Sequence, residues 1–134
     1  MPVIHAADAI IHELNGTVFA SYAAPARGSQ ELCAWRLEVP AGSDGMAHTV
    51  GKEEVLFVLS GALRVTLSGG AGPDGPCAES SADAGPGDAV MVPAGAVVRF
   101  DNPGTEQASA WVTTSVGFEA TLPDGSRIRP PWVS

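Results

Sequence analysis

The stretch Gly45-Met46-Ala47-His48-Thr49-Val50-Gly51-Lys52-Glu53-Glu54, separated by six residues from Gly61, decides how this chain is read. A second block starts at Gly87; five residues separate it from Pro93-Ala94-Gly95, and Val98 and Asn102 follow. The turn formers in both blocks have local reasons to be there. Gly61 follows an apolar run and permits a tight turn, where positive φ is cheap only for glycine. Pro93 and Gly95 set a turn between two short strands. Asn102, just before Pro103-Gly104, can hydrogen-bond its own backbone and close a strand.

Outward from these blocks the chain reads as strands. Leu32 to Val39 alternates, with Cys33, Trp35, Leu37 and Val39 on one face and Ala34, Arg36 and Glu38 on the other. Val55 to Leu59 is a continuous apolar run, as expected of a strand buried on both faces. Ser60-Gly61 turns it into Ala62 to Ser68, and the two are expected to form a hairpin. Thr17 to Tyr22, Ala89 to Val92, Ala96 to Phe100 and Ala108 to Phe118 complete the strands. Gly69 to Gly87, rich in Gly, Pro, Ser, Ala and Asp, reads as an exposed loop with at most a short strand near Ala78 to Ala82. Helical pattern is confined to Ala6 to Leu14, and Pro123 to Ser134 reads as an extended arm. Short strands spaced by Gly/Pro turns predict an all-β barrel or sandwich, and 134 residues suit one core, hence a single domain over residues 1–134.

The composition narrows the function classes. Lys and Arg together number seven and are scattered singly, and the formal net charge is −8, so there is no basic stripe for a nucleic-acid backbone. The acidity itself is read as a solubility feature. Two cysteines, Cys33 and Cys77, make no disulfide framework: Cys33 is placed in a strand and Cys77 in a polar loop. No secretory leader and no apolar run of bilayer length is read in the chain, so a cytoplasmic protein with no membrane segment is expected.

The two blocks, about 45–61 and 87–102, resemble the paired motifs of the cupin superfamily, in its small single-domain form. That pattern runs His-x-His, then Glu and Gly, then Gly, Pro-x-Gly, His and Asn. The resemblance implies a double-stranded β-helix, a jelly-roll-like barrel with flanking terminal arms, and it implies a homodimer. In relatives that hold a metal, three imidazoles and a carboxylate meet at the barrel mouth. This chain keeps His48 and Glu54, but Val50 and Val98 stand at the other two positions. Valine has no lone pair to donate. No cofactor is expected on that basis; a divalent transition metal would have only His48 and Glu54, unless His5 or His12 joined them from the N-terminal segment.

His48 and Glu54 are the candidate catalytic residues, read as an acid–base pair in a pocket dried by the two valines, where burial raises the carboxyl pKa. The plainer reading leaves them as hydrogen-bonded relics. Trp35, Val50, Met91, Val98, Phe100 and Trp111 are the candidate pocket wall, and ordinary core packing is the plainer account of each. Arg99 is expected to point outward into a salt bridge or dimer contact, Arg64 and Arg36 are read as solvated or interfacial, and Trp132 is a candidate to dock on a partner subunit. The expectation is a small-molecule-binding cupin acting as an accessory isomerase, cyclase or lyase. A non-catalytic ligand- or protein-binding module is the alternative, and a metal-dependent oxygenase or isomerase with an incomplete ligand set the next.

Overall fold

The computed structural model describes residues 3–70 and 73–134. Twelve strands are arranged in chain order: β1 (Ile10–Leu14), β2 (Thr17–Ala23), β3 (Leu32–Val39), β4 (His48–Val50), β5 (Glu54–Ser60), β6 (Leu63–Gly69), β7 (Cys77–Ala84), β8 (Ala89–Val92), β9 (Ala96–Asp101), β10 (Ala108–Ser115), β11 (Ala120–Thr121) and β12 (Arg127–Ile128). They form two antiparallel six-stranded sheets, ordered β1-β2-β3-β10-β5-β8 and β12-β11-β4-β9-β6-β7. Short 3-10 turns at Ala6–Asp8, Pro25–Arg27 and Pro131–Val133 are the helical elements among the described residues. This is the jelly-roll barrel that the cupin resemblance implies, and it is all-β as the turn spacing predicts.

The inward faces follow strand parity. Cys33, Trp35, Leu37 and Val39 of β3 are all buried, as alternation requires. They pack against Leu56, Val58, Leu63, Val65, Val92 and Val98 from both sheets, forming one core. On β5 the alternation is stricter than its apolar run suggests: Glu54, Leu56 and Val58 are buried, while Phe57 and Leu59 face outward. That strand is therefore covered on one face, not two.

Four further expectations need correction. β5 and β6 do not form a hairpin, because they belong to opposite sheets: β5 pairs with β10 and β8, β6 with β9 and β7. Gly61, at φ 72°, turns the chain from one sheet into the other. A Cβ there would lie 2.7 Å from the Gln107 carbonyl oxygen, so backbone approach as well as φ demands glycine. The Ala6 to Leu14 segment is a 3-10 turn followed by strand β1, paired to β2 through Leu14↔Thr17. Asn15 (φ 52°) and Gly16 (φ 83°) make the two-residue turn between them. The Gly69 to Gly87 loop contains the eight-residue β7, with Cys77 as its first, exposed residue; Ala71 and Gly72 of that loop lie outside the described residues. The last long strand stops at Ser115, and Phe118 lies beyond it in the barrel core.

The C-terminal arm is tied to the barrel. The arm closes over β2 and β3: Ser21 Oγ donates to the Trp132 carbonyl at 2.9 Å, and the buried Cys33 thiol lies 3.6 Å from the Val133 carbonyl. Trp132 stacks on Phe19 of its own chain, with ring centroids 3.7 Å apart and planes 11° from parallel, so one face of the indole is already covered. Asn102 is fully buried and does more than close its strand: Nδ2 donates to the carbonyls of Val39 (3.1 Å) and Glu106 (2.8 Å), and Oδ1 accepts from the Gly104 amide. Three arginines lie outside in pairs, Arg36 with Glu38, Arg64 with Asp83 and Arg99 with Asp101.

Candidate functional site

A cavity of about 170 Å³ opens inside the barrel between the two sheets. Glu54 reaches it from the first position of β5, where β5 pairs with β10 through Thr114 and with β8 through Val92. Thr114 Oγ1 donates to the Glu53 carbonyl at 2.7 Å, which pins the start of the strand and so the aim of the next side chain. Glu54 is 4% exposed, and among the described residues its carboxyl makes no hydrogen bond or ion pair with the protein. Burial alone pushes its pKa up from 4.5 to about 7.

His48 enters from β4, whose register sets it opposite Val98 of β9. Its Nδ1 lies 2.9 Å from the Met46 carbonyl oxygen. A carbonyl only accepts, so Nδ1 carries the proton, and in the neutral ring Nε2 is left as the acceptor. Gly45 lets the chain pass close enough to bring this segment in: a Cβ there would lie 2.1 Å from the Phe100 carbonyl oxygen, and the Gly45 amide donates to Asp101 Oδ1 at 2.7 Å.

The rest of the wall is mainly apolar. Trp35, Phe100, Phe19, Phe118 and Trp132 bring aromatic rings, and Leu37, Leu56 and Val112 fill between them. No Lys or Arg is among the lining residues, and His48 and Glu54 are the ionisable side chains in the wall. The Trp35 indole Nε1 is buried without a hydrogen-bond partner, the one side-chain nitrogen or oxygen in that state among the described residues.

Of the predicted pocket residues, the structure brings together His48, Glu54, Trp35 and Phe100. Val50 and Val98 point inward but are fully buried in packed core and do not line the cavity. Met91 and Trp111 belong elsewhere. Met91 is 66% exposed and lines a separate depression between β7 and β8, because its neighbour Val92 takes the inward position. Trp111 lies between the inward Ala110 and Val112, so it faces out, 5.2 Å from the Tyr22 ring. Phe19 and Phe118 are aromatic wall residues the sequence reading passed over, and Trp132, read as a partner contact, lines the same wall. Parity on β2 would have found Phe19, which shares a face with Thr17, another lining residue.

The metal-ligand set does not fit. Neither His5 nor His12 lines the cavity; His12 lies beside the Trp132 ring, 6.4 Å away. Among the described residues no three His, Cys, Asp or Glu side chains come together. His48 and Glu54 supply two donors, short of the three protein ligands that catalytic sites usually offer, and saturated carbon stands at the other two positions.

The sequence matches the family model described as "Cupin domain" over residues 35–115, more than half of the chain. The chain belongs to the cupin family. Among curated proteins none matches it. Similar solved structures include the polyketide cyclase RemF from Streptomyces resistomycificus, at TM-score 0.70 and 20% identity over 86% of this chain and 79% of that one. A Lactobacillus farciminis oxalate decarboxylase, a formate complex, aligns at TM-score 0.71 and 19% identity, over 92% of this chain but 34% of its own length. The Cnp3 cupin domain of Schizosaccharomyces pombe aligns at 0.60 and 20%, over 78% and 63%. At such identities the likeness concerns the fold alone. No helix among the described residues is long and apolar enough to cross a membrane.

Proposed function

We propose that this chain is a cytoplasmic, homodimeric small-molecule-binding cupin whose cavity performs proton transfer of the isomerase, cyclase or lyase kind without a metal. Glu54 is the group that takes and returns the proton, and His48 Nε2 is the second acid–base position. The observation that carries this reading is a buried carboxyl, unpartnered by protein, in an aromatic cavity. A base with a pKa of about 7 is half-ionised at neutral pH, which balances the fraction of active base against its proton affinity. Burial supplies that value here, as it does for other carboxyls placed against apolar walls.

Cavity size indicates what the barrel can enclose. About 170 Å³ is close to the roughly 150 Å³ dry cavity that accepts benzene. One ring with a small substituent fits inside it.

The test is isomerisation of 3-cyclohexenone to the conjugated 2-cyclohexenone, followed by ultraviolet absorbance. The wild-type chain should accelerate it, with a rate that rises with pH through about 7 as Glu54 ionises. If a Glu54→Gln chain isomerises as fast as wild type, Glu54 is not the base.

One observation favours the non-catalytic alternative. Phe57, Leu59 and Met91 are 42%, 39% and 66% exposed on the outer face of neighbouring strands β5 and β8, where a module working through its outside would keep apolar contacts.

A further inference from the structure

A buried carboxyl needs partners for its lone pairs and, once ionised, a balance for its charge. Among the described residues Glu54 has neither: it is 4% exposed, and no hydrogen bond or ion pair reaches its carboxyl. Its oxygens are nevertheless not sealed. Trp35 Nε1 is the one buried side-chain nitrogen or oxygen, among the described residues, that lacks both a partner and accessible surface. The unpartnered Glu54 oxygens therefore keep surface that a water-sized group reaches, and the cavity is the opening that Glu54 lines. The groups around it do not balance a negative charge. Thr114 of β10 and Val92 of β8 flank it in register and are uncharged. The side chains that β1, β2, β3, β9, β10, β11 and β12 place in the lining carry no ionisable group. His48 of β4 is the other titratable lining residue, it makes no ion pair with Glu54, and no Lys or Arg joins them.

Resting on the reading of this cavity as a ligand site, we propose that it takes a monocyclic organic cation, a protonated cyclic amine or imine, whose N–H pairs with the Glu54 carboxylate. A neutral hydroxyl would fill one lone pair and leave the charge unbalanced. An anion would meet a carboxylate with no Lys or Arg in the wall to offset it. A cation answers both needs, because it supplies the missing member of a buried pair whose lone carboxylate is already costly in the free chain. The formal net charge of −8 favours its approach. The same class suits proton transfer. A proton taken from a ketone leaves an enolate, whose charge finds no Lys, Arg or reachable indole N–H in this wall. From a cyclic iminium ion, the Glu54 carboxylate takes the proton on the carbon beside the C=N bond. The C–H pair becomes a C=C bond, the C=N π pair returns to nitrogen, and a neutral enamine remains. Two charges disappear in a cavity that solvates both poorly, and no external oxidant or reductant is needed.

The experiment is calorimetric titration of the chain with benzylammonium, benzyl alcohol and benzoate, which share one ring and differ in charge. At pH 8 benzylammonium should bind about tenfold more tightly than benzyl alcohol, the margin of a charge-assisted over a neutral hydrogen bond. Benzoate should bind weakest. The cation needs the ionised carboxyl, whose pKa is about 7, so its affinity should fall about tenfold at pH 6. At pH 7 its binding should release about half a proton, read by comparing buffers of different ionisation enthalpy. Glu54→Gln should erase both the preference and its pH dependence; if that variant does not fold, the wild-type order and proton release decide alone. A cation preference that survives in Glu54→Gln would overturn the proposal, because its source would then lie elsewhere in the wall. Equal or tighter binding of benzyl alcohol or benzoate at pH 8 would do the same, as would no binding of any of the three. Isomerisation of 3-cyclohexenone separates the two readings. Cation preference without isomerisation keeps this ligand class and removes proton transfer at carbon; isomerisation without the preference does the reverse.

Discussion

Two parts of one barrel interior, built on the same strands, differ in what fills them. On β4, His48 lines the cavity, whereas Val50, two residues on and on the same inward face, is sealed in solid core. On β9, Phe100 lines it and Val98 does not. On β3, Trp35, Leu37 and Val39 face the cavity and Cys33 is closed off. The backbone is continuous across each boundary, so side-chain shape and polarity make the difference. Branched aliphatic residues interlock to crystal-like density. Large rings around an unpaired carboxyl cannot collapse in the same way, because closing them on Glu54 would remove its last access to a polar partner. The two valines at the positions where metal-holding relatives carry imidazole thus do two things at once. They remove donors, and they extend the solid region toward His48.

The largest effect expected from disturbing this contrast is at the carboxyl. Glu54→Gln should lower the isomerisation rate by about 10²- to 10⁴-fold, the usual weight of one acid–base group, measured as kcat on 3-cyclohexenone. Next comes the solid region. Leu63→Ala, at a side chain 1% exposed, should cost about 2–5 kcal/mol in urea unfolding, whereas Leu122→Ala, half-buried on the cavity wall, should cost about 1 kcal/mol or less. If the two cost the same, the packing contrast is wrong.

A pH effect of similar size follows from Glu54. Its folded pKa of about 7 exceeds its ordinary 4.5, so between these values the folded chain binds the extra proton. Stability should therefore fall as pH rises through this window, by about 3 kcal/mol in total, with the full penalty present above pH 7. Urea midpoints at pH 5 and pH 8 measure it, and Glu54→Gln should remove this component. The smallest effect is outside the barrel: Met91→Ser should change stability by no more than about 0.5 kcal/mol. A larger loss that depends on protein concentration would show that this face is covered by a second copy.

Much of the fold is legible where local chemistry leaves one choice. Leu32 to Val39 alternates cleanly and its inward set follows from parity. Asn15-Gly16 is a strong hairpin signal, and it argues against a helical turn running up to Leu14; the 6–14 stretch was too short for its weak periodicity to decide between helix and strand. β7 shows no alternation because it is an edge strand exposed at all positions but the last. The turn after β5 is also undecided locally: positive φ at Gly61 suits a hairpin and a crossing between sheets equally well. In β8, Ala89-Val90-Met91-Val92 is apolar throughout, so parity is not readable, and Met91 was assigned to the wrong face. Trp111 has the same difficulty between Ala110 and Val112.

The amino-acid sequence by itself determined the cupin motif, the pairing of His48 with Glu54 as its remaining polar positions, and the loss of two donors to Val50 and Val98. Those are matters of residue identity and spacing. Only the tertiary structure decided which side chains share the cavity. It brought Phe19 and Trp132, from opposite ends of the chain, to one wall, turned Met91 and Trp111 away, and left the Trp35 N–H and the Glu54 carboxyl without protein partners. The physical reason is that desolvation and unmet hydrogen bonds depend on what surrounds an atom in three dimensions, and those neighbours come from distant strands brought together by the closure of the barrel.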